Sequence, residues 1–254
     1  MTSEETIGRF EIKYPVEPVR AARFLHDLDP LLVPDSHGRD GCYSIFSVYF
    51  DTRDLSCFRE KIEGVPSRVK FRLRHYPDGA EGAWYLESKT RVRHYVRKER
   101  QRLRAPDAVE LSRRPLTPAS LARLVPSSHP LIQQVAARLS RGVMVPTVGV
   151  YYRRRALIFR GARNLRLTVD HSLEARPAAI PHDLSEPPRR GLGSDPWIVE
   201  IKGHGVLPVE VQDALFRNNL VARSFSKYCE CVARRRRPRA EADSAVDAHS
   251  SNSS

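Results

Sequence analysis

Val69-Lys70-Phe71-Arg72-Leu73-Arg74-His75-Tyr76 decides the fold. Val69, Phe71 and Leu73 alternate with Lys70, Arg72 and Arg74. A strand turns successive side chains to opposite faces, so this segment has one apolar face and one cationic face. The alternation recurs along the chain. It appears in RFEIKY (9–14), with Glu11 and Lys13 on one face, and in YLESK (85–89), with Glu87 and Lys89. It returns in LRLTVD (165–170), with Arg166, Thr168 and Asp170, and in WIVEIKG (197–203), with Glu200 and Lys202. One wet face is ordinary for an antiparallel sheet. Three cations on one strand face repel each other unless water or an anion lies between them. For a single strand, a solvated outer face is the simpler reading. Repetition at Lys98 and Arg100, at Arg154 and at Arg166 favours a sheet curled with its charged face inward. Such a basic tunnel, with a few carboxylates, would bind a polyanion and a divalent cation.

Composition agrees. A chain of 254 residues suits one large domain, or a domain and a tail, and 41% hydrophobic residues can supply a core. A net charge of +13 favours anionic partners such as nucleic acid, anionic lipid, nucleotides or polyphosphate. Arg outnumbers Lys, which suits bidentate phosphate contacts. Cys42, Cys57, Cys229 and Cys231 contain no CxxC and read as thiols of a reducing compartment. No apolar run reaches the roughly 18 residues of a membrane span. MTSEETIGRF has no signal-peptide core, so the chain reads as cytoplasmic.

The pattern predicts strands at 8–14, 43–52, 67–76, 83–90, 94–104, 146–159, 164–171 and 197–203. Residues 77–82 read as a hairpin connection. Helices are expected at 19–28, within 117–140 and at 208–219, with caps at Thr117 or at Ser127 and Ser128. Residues 54–64 read as a short helix or turn closed by Gly64. Residues 34–41 and 174–196 read as loops. The expected architecture is α+β, an antiparallel sheet or barrel with helices at its edges. The expected boundaries are a flexible start at 1–7, a domain at 8–233 and a basic, then polar, disordered tail at 234–254.

Four carboxylates stand out: Glu11, Glu87 and Glu200 each lie two residues from a basic residue, and Asp170 lies four residues from Arg166. Cross-strand ion pairing explains them, and so does a Mg²⁺ or Mn²⁺ site, since hard cations take oxygen ligands. RSFSKY (223–228) reads as a strand end, turn or helix start, and YFDT (49–52) as a strand terminus. The RRRR run at 234–237 has no interleaved aromatics, so no sequence-specific nucleic-acid recognition is expected. GLGSDP (191–196) does not join a strand to a helix and is no nucleotide fingerprint.

In order and spacing, RFEIKY, SVYFDT, EGVPSRVKFRLRHY, LESK, VRKER, YYRRRAL, LRLTVDHSL, WIVEIKG and RSFSKY resemble the VTC domain. This is the polyphosphate polymerase branch of the triphosphate tunnel metalloenzymes. The resemblance covers residues 8–233. It implies an eight-stranded antiparallel β tunnel with helices packed outside. It implies that Lys13, Arg72, Arg74, Lys89, Arg154 and Lys227 act on the reacting phosphates. Lys98, Arg100, Arg166, Ser226 and Tyr49 would bind substrate, with Lys70 further out at the tunnel mouth. Glu200 would be the principal ligand of Mn²⁺ or Mg²⁺, helped by Glu11 and Glu87. The implied reaction moves the γ-phosphate of ATP onto a growing polyphosphate. A hydrolase of tripolyphosphate or nucleoside triphosphates, and a non-catalytic polyphosphate sensor, are the alternatives. Other branches begin ExExK; here Arg9 replaces the first acid, which favours the VTC branch. Family members in membrane-bound complexes leave room for a membrane-protein partner encoded separately, which would hold the chain at the inner face of a membrane.

Overall fold

The computed structural model describes residues 8–78, 83–93, 95–180 and 196–236. The expected flexible start, most of the 77–82 connection, most of the 174–196 loop and the end of the tail lie outside them.

The strands are β1 (Arg9–Val16), β2 (Leu32–Pro34), β3 (Cys42–Asp51), β4 (Ser67–His75), β5 (Trp84–Val92), β6 (Tyr95–Leu103), β7 (Val145–Phe159), β8 (Ala162–Arg176) and β9 (Trp197–His204). All pairings are antiparallel, in the order β1-β9-β8-β7-β3-β4-β5-β6. The short β2, not expected from the sequence, pairs with β7 off this path. The sheet is curled. β1 and β5 stand six strands apart on the path, about 29 Å in a flat sheet. Yet Lys89 of β5 lies 3.6 Å from Glu11 of β1. The outermost strands β1 and β6 share no ladder, so the tunnel is a curled sheet with an open seam rather than a closed barrel.

Apolar side chains of the alternating strands face outward and are covered by helices. α1 (Pro18–Leu28) and α6 (Val209–Arg217) pack on Tyr14, Leu167, Val169, Val199 and Ile201. α1 buries Ala21, Phe24 and Leu28, a helical stripe spaced three and four residues apart. Burying a side chain such as Phe24 stabilises by about 2–3 kcal/mol. On the other half, α3 (Ala105–Leu111), α4 (Pro118–Ala122) and α5 (Pro130–Leu139) cover Phe46, Phe71, Leu73, Trp84 and Leu86. Thr117 caps α4 through a capping box. α5 is capped by His129 instead of Ser127 or Ser128, because its ring accepts from the Leu131 amide. The short α2 (Ser56–Ile62) begins after a left-handed Leu55 with φ of 62°.

α7 (Lys227–Arg236) departs from the expectation of helices outside. Its Tyr228, Cys229, Cys231 and Val232 pack on Ile45, Val148, Val150, Tyr152 and Leu173, on the inner face of the sheet. One end of the tunnel is therefore filled by a helix. Arg234–Arg236 form its last turns, so the basic run begins inside the helix and not as a tail. β8 also outruns the expected 164–171. Tyr151 pairs with Glu174 while Arg153 pairs with His171, leaving an extra residue on β8 near Ser172, at φ 53°. This bulge reverses the facing of β8. Asp170 faces the polar lumen, whereas Leu173 and Ala175 face α7.

Candidate functional site

Strand registers place the charged residues on one concave surface. Lys13 is opposite Glu200 and Glu11 opposite Lys202. Across the next ladder, Glu200 is opposite Thr168 and Lys202 opposite Arg166. On the other wall, Tyr49 is opposite Arg72, Arg72 opposite Glu87 and Lys70 opposite Lys89. β6 adds Arg100 opposite Glu87 and Lys98 opposite Lys89.

The β1–β9–β8–β7 wall carries two carboxylate groupings. Glu11 lies 3.4 Å from Lys13 and 3.6 Å from Lys89, and Glu200 lies 2.9 Å from Lys202. Burial alone would raise the Glu11 carboxyl. Contact with Glu200 and the charges of Lys89, Lys202 and Lys13 outweigh burial and hold it well below the usual carboxylate range. Glu200 is 4% exposed. Asp170, 1% exposed, receives both arms of Arg154 at 2.6 and 2.8 Å and lies 2.5 Å from Lys227. Burial opposes its ionisation, but Lys227 and Arg154 bring its pKa down to about 2. Asp170 thus fixes Lys227 and Arg154 side by side. At the far end Arg166 meets Asp35 at 2.9 Å, and Asp35 also accepts from the His37 amide at 3.1 Å.

Along the β3–β4–β5–β6 wall, Glu87 lies among cations. Arg72, Arg74 and Arg100 lie 2.7, 3.6 and 3.3 Å from Glu87. Arg72 also donates to the Tyr49 hydroxyl at 3.0 Å. Burial would raise that phenol, but Arg72, Arg74 and Lys70 lower it to about 8. Arg100 stacks 3.5 Å above the Tyr85 ring. Lys98 is exposed on the edge strand and has no carboxylate partner among the described residues.

RSFSKY resolves as a helix start. Ser226 caps α7, accepting from the Cys229 amide at 3.4 Å, and accepts from Lys70 Nζ at 3.1 Å. Lys70 therefore sits beside α7 at the filled end. Tyr228 donates to Asp51, which also accepts from the Thr52, Cys57 and Phe58 amides at 2.7, 2.8 and 3.0 Å. The end of YFDT thus anchors α7 and, through it, Lys227.

The structure brings Glu11 and Glu200 together but not Glu87, which stays with three guanidiniums. Among the described residues no three His, Cys, Asp or Glu side chains converge. Two hard oxygen donors still suit Mg²⁺ or Mn²⁺, ions that commonly take one or two carboxylates and complete their shell with water and substrate phosphates. Lys202, Tyr228 and Asp51 were missed as site residues. Lys202 was signalled by its place two residues after Glu200; the Asp51–Tyr228 contact spans 177 positions and left no local signal. Buried Ser47 Oγ, Thr168 Oγ1, Arg74 Nε and Arg166 Nε have no hydrogen-bond partner among the described residues. The surface thus carries more cationic and donor capacity than its own acceptors take up.

The family model described as the VTC domain matches residues 8–235. No curated protein matches the sequence. Among solved structures, a Hippeastrum protein described as a putative adenylyl cyclase with a dominant triphosphatase activity is similar, with a TM-score of 0.53 and 15% identity, covering 92% of this chain and 99% of that one. A putative adenylate cyclase from Bacillus halodurans gives 0.48 at 16% identity, covering 86% and 95%.

Proposed function

The chain belongs to the VTC domain family, and we propose that it uses ATP to extend polyphosphate, with its triphosphate held on the concave surface. The observation that supports this most is the meeting of an arginine-rich wall with the Glu11–Glu200 pair across one lumen. Arg72 and Arg74 would bind the phosphoryl group being transferred. Glu87 would position their guanidiniums, in place of the metal-ligand role expected for it. Lys13, Lys89, Arg154 and Lys227 would neutralise the bridging and terminal oxygens, while Lys70, Lys98, Arg100, Arg166, Ser226 and Tyr49 would hold the rest of the substrate. Glu200 and Glu11 would hold Mn²⁺ or Mg²⁺, which supplies charge neutralisation on the phosphates. Phosphoryl transfer asks for positioning and charge more than covalent help, and fixed cations in a half-buried lumen provide both. α7 fills one end, and a lumen closed to water there would favour transfer to a phosphate acceptor over hydrolysis.

Incubation with ATP and Mn²⁺, with and without a short polyphosphate primer, tests the proposal by gel. A ladder of long chains is expected. Only ADP and orthophosphate would replace it with a tunnel hydrolase; tight triphosphate binding without turnover would replace it with a sensor. No described helix is long and apolar enough to cross a membrane.

A further inference from the structure

The cationic stripe extends past the candidate site. On β4 the inward positions run Arg74, Arg72, Lys70 and then Arg68, and on β5 Arg91 follows Lys89. Arg68 is opposite Arg91, one step beyond the Lys70–Lys89 pair. From Arg74 to Arg68 the stripe runs about 20 Å, longer than a triphosphate needs.

Lys61, at the end of α2, reaches the same place. Its Nζ donates to Ser224 Oγ at 2.6 Å, as Lys70 donates to Ser226. Lys13 Nζ donates to the Phe225 carbonyl at 3.4 Å, and the Arg223 amide donates to the Lys13 carbonyl at 2.9 Å. Residues 223–226 therefore bridge β1 to α2 and β4. They offer Lys61 and Lys70 only neutral oxygens. Among the described residues no carboxylate lies within ion-pair distance of Lys61, Arg68, Lys70 or Arg91. Glu60, the carboxylate that acts on Arg68, is held by Arg138 at 2.7 Å and Arg141 at 3.0 Å. Burial, then Arg68, Lys70 and Lys13, push the Lys61 ammonium below its ordinary range. Clustered cations without a counter-ion are stabilised when an anion enters.

We propose that Lys61, Arg68 and Arg91 form a second anion subsite beside α7, which holds the distal phosphates of a linear polyphosphate whose near end lies in the lumen. The subsite rests on the triphosphate reading of the lumen and extends it to the polymer. These three residues touch no reacting group and lie at the end of the β4–β5 ladder away from Arg74.

Titration calorimetry of tripolyphosphate and of long-chain polyphosphate, on the full chain, tests it. The unaltered protein should bind the long chain more tightly than tripolyphosphate. Arg68→Gln with Arg91→Gln should weaken long-chain binding about tenfold, the size of two exposed charge contacts, and leave tripolyphosphate binding unchanged. Lys61→Gln alone should weaken long-chain binding about threefold, which guards against a folding defect in the double variant. Equal affinity of the unaltered protein for both ligands, or an equal loss for both in the variants, would overturn the subsite alone. An unaltered protein that binds neither ligand would overturn the lumen reading and the subsite with it.

Discussion

The two walls of the lumen use the same residue types in different proportions. On the β1–β9–β8–β7 wall, each described carboxylate is matched by one or two cations, and Glu11 and Glu200 touch each other. On the β3–β4–β5–β6 wall, a single Glu87 is shared by three guanidiniums, with Lys70, Lys89 and Lys98 in line beyond it. A wall of balanced charge with adjacent carboxylates suits a cation. A wall of excess charge suits phosphate oxygens. The difference teaches that binding and metal dependence should be separable by mutation, wall by wall.

The sharpest way to break this contrast is Arg72→Ala with Arg74→Ala. Turnover should fall at least about a thousandfold, as when a main phosphate-charge stabiliser is lost. Adding Glu87→Gln removes the carboxylate left with Arg100 alone and should restore part of any lost thermal stability without restoring activity. Steady-state kinetics and a melting curve check both. On the opposite wall, Glu200→Gln should lower metal-dependent turnover about a hundredfold and raise the Mn²⁺ concentration needed. Metal-free triphosphate binding should hold or tighten, because Lys202 loses its partner.

Tyr228→Phe probes what holds the walls in place. Asp51 loses its longest-range donor, a cost of about 1–3 kcal/mol. The melting temperature should drop by several degrees, with a milder loss of activity as Lys227 loosens from Asp170.

The smallest effect is expected from Tyr49→Phe. The Tyr49 phenol titrates near 8, below its unfolded value near 10. The folded state sheds this proton first, so the free protein gains stability as pH rises from about 8 to about 10. The phenolate then competes with phosphate for Arg72. Triphosphate affinity should fall above pH about 8 in the unaltered protein and stay flatter in Tyr49→Phe, as read by titration across that range.

The wall residues were legible because period-two alternation survives without tertiary information. RFEIKY, VKFRLRHY and WIVEIKG each became a strand with the expected faces. Alternation failed where the backbone broke it. The bulge at Ser172 shifts the period of β8, and so the strand reads as ending at 171 and 174–176 read as loop. α3 is hard to read because its seven residues carry too little period and no glycine closes it, whereas Gly64 marks the end of the equally short α2. α7 could be read as a helix start but not as an inner plug. A signal existed: YSIFSVYF has apolar residues on both faces, the mark of a strand covered on both sides. Ile45 meets α7 while Phe46 lies in the outer core. Glu87 shows the limit of residue type. Its spacing matches that of Glu11 and Glu200, and only the cross-strand register reveals that arginines claim it.

The most direct test of the two-wall account is calorimetric titration of tripolyphosphate, with and without Mn²⁺, into the unaltered protein, Arg72→Ala/Arg74→Ala and Glu200→Gln. The account predicts that the arginine variant loses binding in both conditions, whereas Glu200→Gln loses only the increment that Mn²⁺ adds. Retained binding in the arginine variant, or loss of metal-free binding in Glu200→Gln, would contradict it.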